Sequence, residues 1–317
     1  MNTATDTVDE TLAIVFPGQG SQSPGMLSEL AENESLIKET FAQASDVLGY
    51  DLWQLCQDGP EEELNRTDKT QPAMLAAGVA VWRAWRHAGG AAPGVMAGHS
   101  LGEYTALVCA GAIEFTDAVS LVEQRGRCMQ SAVPAGVGAM AAILGLDDAT
   151  VTDVCERAAA GEVVSPVNFN SPGQVVIAGN TDAVQRAMVL AKEAGAKRAL
   201  PLAVSVPSHC SLMQPAAEQF AARLAQTVIN TTSIAVLQNV DAKPHDQPDV
   251  IRDNLKKQLY CPVQWVASVQ NLGARGVTRI VEAGPGKVLA GLCKRIDKSI
   301  ANAAVYDPAS LAAALDN

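Results

Sequence analysis

Apolar positions along the chain come in two rhythms. Continuous short runs at 12–16 and 95–99, closed by Pro17-Gly18 and by a glycine-bracketed turn, predict buried strands. Segments 34–48 and 71–87 repeat their apolar residues at helical spacing instead. A helix is expected after 99, and Thr116 or Asp117 is expected to cap a longer one reaching about Ser131. Strands alternating with helices in this way predict a mostly parallel sheet with helices on both faces.

Pro134-Ala135-Gly136-Val137-Gly138 interrupts that alternation. Beyond it the pattern predicts strand 139–144, helix 148–160, strands 163–169 and 174–179, helix 181–194 and strand 198–205. Asn170-Ser171-Pro172-Gly173 supplies the turn between the middle strands. The order βαββαβ describes a ferredoxin-like unit, self-contained enough to be an insert over 134–205. The α/β alternation then resumes with helix 210–227, strand 234–240, helices 249–260 and 263–275, strand 278–283 and helix 286–296. The expected organisation is an α/β core over 11–133 and 206–317, with 1–10 as a disordered extension.

A chain of 317 residues buries about 75% of its unfolded surface, ample for a large core. Its net charge of −11 argues against nucleic acid or an anionic membrane as partner. Anionic substrates would need local positive sites. The seven cysteines show no Cys-x-x-Cys spacing and read as reduced core thiols. The polar, acidic 1–10 does not read as a secretory signal, and the longest apolar run, 73–82, is too short to span a bilayer. A cytoplasmic protein is expected.

The chemistry concentrates at Gly98-His99-Ser100-Leu101-Gly102, a Gly-x-Ser-x-Gly pattern between a predicted strand and a predicted helix. In that context the pattern predicts a nucleophile elbow, with the serine hydroxyl driven into a cleft and a helix N-terminus behind it. A serine needs a base, and four histidines are available. His87 ends a helix, where an imidazole favours the dipole; His99 diverges from its neighbour Ser100; His245 lies in a polar turn. His209, on a loop after an apolar strand and before a helix, is the expected base. Asp117, Asp147, Asp148, Asp153 and Asp182 all read as helix-start residues. A Ser–His dyad, its imidazole oriented by a backbone carbonyl or an amide, is therefore expected rather than a triad.

The loop Phe16-Pro17-Gly18-Gln19-Gly20-Ser21-Gln22 lacks the third glycine of a dinucleotide loop. Its glycines suit either a plain turn or a close approach of the Gln19 N–H to a ligand, which with the Leu101 N–H would complete an oxyanion hole. Gly284-Pro285-Gly286-Lys287 lacks the spacing of a phosphate loop and reads as a strand-to-helix turn. Arg125, beside Ala118, Leu121 and Met129 at helical spacing, reads from these residues alone as a helix-surface arginine.

Seven ordered segments now carry a resemblance. They are 16–22, Gly98-His99-Ser100-Leu101-Gly102-Glu103, Gln124-Arg125-Gly126, 167–174 (Val-Asn-Phe-Asn-Ser-Pro-Gly-Gln), Val206-Pro207-Ser208-His209, Gln258-Leu259-Tyr260 and Glu282-Ala283-Gly284-Pro285-Gly286. Together they resemble the malonyl-CoA:acyl-carrier-protein transacylases of bacterial fatty acid synthesis. The resemblance implies a hydrolase-like core with a ferredoxin-like insert. It implies Ser100 as the acylated nucleophile, His209 as base, Gln19 and Leu101 as oxyanion donors and the Gln258 carbonyl as the group orienting His209. It also implies that Arg125 pairs with the malonyl carboxylate. Malonyl-CoA and holo-acyl carrier protein would be the substrates, with no metal or other cofactor, and a monomer is expected. Lys287, Lys294, Arg295, Lys298, Lys197 and Arg198 are candidates for meeting an acidic carrier, or simply helix-end cations. A serine thioesterase or esterase, and an acyltransferase of a polyketide pathway, are the alternatives on the same elbow.

Overall fold

The computed structural model describes residues 8–134, 136–204 and 206–316. In chain order its strands are β1 (Val8–Phe16), β2 (Ala92–Gly98), β3 (Gly138–Leu144), β4 (Val164–Ser171), β5 (Gln174–Asn180), β6 (Arg198–Pro201), β7 (Ala235–Leu237), β8 (Arg279–Ala283) and β9 (Ala301–Val305). They form two sheets. One is parallel throughout, in the order β7-β2-β1-β8-β9. The other is antiparallel throughout, in the order β4-β5-β3-β6. The fold is mixed α/β, as the alternation predicted.

β1 explains the parallel sheet. Its apolar run Leu12–Phe16 is at most 1% exposed, because helices cover both faces. Ile14 and Phe16 face the layer containing helices Thr67–His87 and Phe115–Ser131, while Ala13 and Val15 face Trp265, Leu272 and Leu292. β1 pairs with β2 on one side and β8 on the other, with Phe16 opposite Gly98. The carboxyl ends of these strands therefore open together, the position where parallel α/β sheets gather their functional loops.

The antiparallel sheet packs helices Asp148–Ala159 and Thr181–Glu193 against Ile143, Val175 and Ile177. Its other face, with Met140, Val167 and Val176, packs on Cys210 of the larger unit. A backbone seam joins the units: Val263 N donates to Val167 O at 2.8 Å, and Phe169 N to Val263 O at 3.1 Å.

Several boundaries move. Of the expected N-terminal extension, Val8–Glu10 is strand: Val8 and Asp9 pair with Ala92 and Pro93 before a register shift, so β2 holds them in place. Residues 1–7, like Ala135, Ser205 and Asn317, lie outside the described residues. The predicted strand 198–205 ends at Pro201; beyond it Val204 N turns back to Leu202 O. The predicted strand 234–240 keeps only Ala235–Leu237, since Gln238 N bonds Lys243 O across a tight return. Neither Thr116 nor Asp117 caps its helix, because the helix starts at Phe115 with Glu114 as N-cap. Asp147 does cap its helix through Thr150 N at 2.8 Å, but Asp153 lies mid-helix beside Arg157 rather than at a helix start. β9 and the final helix Pro308–Leu315 were not predicted. β9 reads Ala-Asn-Ala-Ala-Val, too small-residued to announce a strand, and exists by pairing with β8. The helix had a readable signal, a capping box between Asp307 and Ser310.

Glycine placement gives a stability contrast. A Cβ on Gly102 would overlap the Phe16 carbonyl, whereas one on Gly291, in helix Val288–Ile296, would meet nothing within 4 Å. Gly102→Ala is expected to lower stability by at least about 2 kcal/mol and Gly291→Ala to raise it by roughly 0.5–1 kcal/mol, read as shifts in urea midpoint at constant slope.

Candidate active site

Three strand ends build the site. After β1, Gly18 passes so close to the elbow that a Cβ there would overlap the His99 carbonyl. After β2, Gly98 N-terminal to the turn and Gly102 in the helix Leu101–Cys109 pack backbone on backbone, leaving no room for side chains. Ser100 between them has φ 51° and ψ −107°, a conformation that L residues adopt only when their surroundings impose it. After β7, Asn239 imposes it. Its Oδ1 accepts from Ser100 N at 2.6 Å and its Nδ2 donates to Gly98 O at 2.6 Å.

His209 arrives from the segment Val206-Pro207-Ser208, itself with φ 67°. Its N–H donates to Leu259 O at 2.9 Å and its Nδ1 to Gln258 O at 2.6 Å. With Nδ1 as donor, Nε2 is left bare, and it lies 2.8 Å from Ser100 Oγ. Among the described residues no carboxylate completes a triad; a backbone carbonyl occupies that position. Burial, then the positive charge of Arg125, pushes the imidazole down to about 3, so it is neutral at physiological pH.

Arg125 is 1% exposed, so the surface reading is wrong: its helix turns it inward under the elbow. Nη1 donates to Gln71 Oε1 and Nη2 to Gln258 Oε1, both at 2.9 Å, and Nη2 is 3.4 Å from Ser100 Oγ. The ring of Tyr104 lies 5.3 Å from the guanidinium carbon, a cation–π distance. Gln258 is the hub. Besides Arg125 and His209, its Nε2 donates to Ser100 O at 3.0 Å and to Glu103 Oε2 at 2.8 Å. Glu103 is fully buried and also accepts from Asn239 N at 2.8 Å; burial raises its carboxyl to about 7 against these hydrogen bonds.

Gln19, Leu101, Ser100, Arg125 and His209 line one cavity of about 110 Å³. Gln258 lies beneath it, fully buried. Met129, Met140, Leu202, Val204 and Val206 supply the cavity's apolar wall, so both units contribute. The other histidines do not bond the dyad, although His99 lines the same cavity. His99 Nε2 bonds Asn170 Oδ1 at 2.8 Å, and His87, at its helix end, bonds Glu34 at 2.8 Å. His245, in its polar turn, bonds Asp241 at 2.7 Å and is a quarter exposed. The cysteines are free thiols, five of them buried. Among the described residues, no group of three His, Cys, Asp or Glu side chains could hold a metal ion.

Gln71, Asn239 and Glu103 were not singled out by the sequence. Glu103 carried a signal, as the lone charge in the apolar helix Leu101–Cys109. Asn239 sits just past a strand end, and Gln71 sits just before a buried apolar run, after the polar Asp68-Lys69-Thr70.

An acyl transferase domain model matches residues 13–311. The malonyl CoA-acyl carrier protein transacylase of Escherichia coli K12 is 60% identical over 304 residues, covering 96% of this chain and 98% of the relative. The chain belongs to the malonyl CoA-acyl carrier protein transacylase family. It is an acyltransferase. A solved acyl carrier protein S-malonyltransferase from Vibrio cholerae superposes with a TM-score of 0.94 at 61% identity, covering 96% of this chain and 100% of that one. A malonyl-transacylase solved in complex with its type II PKS acyl-carrier protein superposes with a TM-score of 0.96 at 57% identity, over 98% and 100% of the two chains. In this transacylase His209 and Glu103 have opposite pH effects on stability. His209 holds fewer protons folded than unfolded between pH 6.5 and about 3, so its stability contribution is lost as pH falls through that window. Glu103 holds more between 4.5 and about 7, so its contribution is lost as pH rises through that one.

The low value for His209 yields a kinetic expectation. Labelling of Ser100 by a neutral organophosphonate should keep most of its pH 8 rate at pH 5, where an ordinary imidazole would have lost about thirtyfold. An inflection near pH 6.5 in the labelling rate would contradict it.

Proposed function

We propose that this transacylase moves a malonyl group from malonyl-CoA to the phosphopantetheine thiol of holo-acyl carrier protein, in fatty acid synthesis, through a malonyl-Ser100 ester. One observation carries the reading: Ser100 Oγ lies 2.8 Å from a neutral imidazole and 3.4 Å from a buried guanidinium. The hydroxyl thus has a base to take its proton and, beside it, a cation suited to an acyl group that bears a carboxylate.

His209 Nε2 takes the Ser100 proton as Oγ attacks the thioester carbonyl. The N–H groups of Gln19 and Leu101 receive the oxyanion, each worth roughly 3–4 kcal/mol. The C–S bond breaks and the CoA sulfur leaves with the proton from His209. In the second half the carrier thiol gives its proton to His209 and attacks the ester; the C–Oγ bond breaks and the proton returns to Ser100. Arg125 pairs with the malonyl carboxylate throughout. At about 4 Å and an effective dielectric near 20 that attraction is roughly 4 kcal/mol before desolvation, and the guanidinium is already desolvated. Pairing also neutralises a charge that opposes imidazolium formation, so the substrate's own carboxylate helps His209 accept the proton. Gln258 O holds Nδ1 and keeps Nε2 facing Ser100. The apolar wall of the cavity favours a thiol over water as second acceptor.

The same reading includes no metal or other cofactor, a monomeric cytoplasmic enzyme and no nucleic-acid partner. The net charge of −11 supports the last of these, and no described helix is long and apolar enough to cross a membrane. It takes 11–133 and 206–317 as a hydrolase-like core and 134–205 as a ferredoxin-like insert, supported by the antiparallel order β4-β5-β3-β6. The carrier would approach exposed Lys287, Lys294 and Lys298, and Lys197 and Arg198 on the insert. Arg295 is less free, since it bonds Gln174 at 2.9 Å. The polyketide carrier bound by one solved relative supports a second reading, a polyketide carrier as acceptor.

Ser100→Ala should abolish the malonyl adduct seen by intact mass after mixing with malonyl-CoA; a persisting adduct would remove Ser100 as nucleophile. Arg125→Ala should lower kcat/KM for malonyl transfer at least about a hundredfold and acetyl transfer less than about fivefold. Equal losses would show that Arg125 does not select the carboxylate.

A further inference from the structure

Glu103 is a buried carboxyl that the proposed chemistry does not use. It touches neither His209 nor the cavity, yet it is 0% exposed in a site where burying a charge is costly. Its oxygens accept from Asn239 N at 2.8 Å, from Gln238 Nε2 at 3.3 Å and from Gln258 Nε2 at 2.8 Å. Gln238 is braced in turn by Asn254 Nδ2 at 2.9 Å. The carboxyl is therefore fixed from the β7 side and presents one oxygen to the Gln258 amide.

We infer that Glu103 is a positioning residue: it locks the Gln258 amide in one orientation and, through that amide, aims the Arg125 guanidinium for malonyl selectivity. The inference rests on the reading of Arg125 as partner of the malonyl carboxylate. Gln258 Nε2 has two protons, and both go to acceptors, Ser100 O and Glu103 Oε2. Only Oε1 then remains to face Arg125 Nη2. Reversing the amide would set Oε1 against two oxygens and its NH2 against a guanidinium, so three contacts would turn repulsive together. Ser100 O is already taken by Glu103 N at 3.1 Å, which leaves the Glu103 carboxyl, at 2.8 Å, as the stronger half of the lock.

Arg125 is gripped by two amide oxygens, Gln71 on Nη1 and Gln258 on Nη2. Those two bonds set the plane of the fork and direct the remaining Nη2 proton towards Ser100 Oγ, where a bound acyl group begins. A guanidinium pairs best with a carboxylate in a defined plane, so a turned fork weakens that pairing while leaving the Ser100–His209 contact intact. The isosteric change Glu103→Gln weakens the lock. Its single oxygen can serve either Gln238 Nε2 or the position that Asn239 N and Gln258 Nε2 share, and its NH2 opposes whichever donor the oxygen leaves.

The test measures malonyl and acetyl transfer side by side in Glu103→Gln, Gln258→Met and the double variant, with the rate of Ser100 labelling by a neutral organophosphonate as the check on the dyad. Glu103→Gln should lower the malonyl:acetyl ratio of kcat/KM about tenfold, mainly through KM for malonyl-CoA, and change labelling less than about threefold. Gln258→Met should lower the ratio similarly, and the double variant no further, because both changes act on one route. An unchanged ratio, losses that multiply in the double variant, or equal losses of both transfers and of labelling would overturn the inference. If Glu103→Gln does not fold, Glu103→Asp, which draws the carboxyl back from the Gln258 amide, takes its place: a wild-type ratio would overturn the inference and a fallen ratio with unchanged labelling would uphold it. An Arg125→Ala enzyme that loses both transfers equally would instead remove the underlying reading of Arg125.

Discussion

The site depends on the backbone at Ser100 being held where it would not rest unaided. A non-glycine residue in such a conformation costs of order 1–3 kcal/mol, and the surrounding structure must over-determine it. Two groups do so from distant parts of the chain. Asn239 grips the turn at Ser100 N and Gly98 O, and Gln258 Nε2 holds Ser100 O. The bare glycines at 98 and 102 let β1 and the helix Leu101–Cys109 close on the turn from either side. Without that closure the hydroxyl would not meet His209, and the dipole end of the helix would not face the cavity.

Beneath the elbow, polar groups replace the usual apolar core. Arg125, Glu103, Gln71, Gln258, Gln238, Asn239 and Asn254 are all at most 7% exposed. Such a cluster is stable only when its donors and acceptors match, because each unmet group in a low-dielectric interior carries its full desolvation cost. Here they largely match, through amides that face a guanidinium with oxygen and a carboxyl with nitrogen. The Arg125 Nε is an exception, a buried donor without a partner among the described residues. The same burial that makes the cluster rigid depresses His209 and raises Glu103. Electrostatics and packing are thus one design: desolvation keeps the base neutral and the arginine poorly hydrated, ready for an anion.

Legibility followed the range of the interactions. The buried strand Leu12–Phe16 and the elbow were readable because local sequence determines them: an unbroken apolar run, and glycines where backbones touch. Helix 148–160 was readable to within a residue, its Asp147 cap being a contact three residues long. β6 was overextended because apolar residues continue past the point where the chain leaves its neighbour, and β7 because nothing local marks the return of Gln238 to Lys243. β9 was invisible because its small residues become a strand only beside β8. In the site, His209 was reached by eliminating three other histidines, whereas Arg125 read as surface until seven ordered segments were compared with a known family. No local rule distinguishes an inward from an outward arginine on an amphipathic helix.

The amino-acid sequence by itself determined the chemistry available here: a serine on a forced turn, a histidine on a strand-end loop, a mostly parallel α/β frame and a family resemblance running nearly end to end. Those features depend on neighbours within a few residues, or on the order of motifs along the chain. Tertiary structure alone decided which groups meet. It turned Arg125 inward, brought Asn239 to the elbow across 139 residues and set Glu103 against Gln258 across 155. Such pairings are set when two sheets and their helices pack as a whole, since hydrogen-bond partners are chosen by position in space and carry no mark in either local sequence.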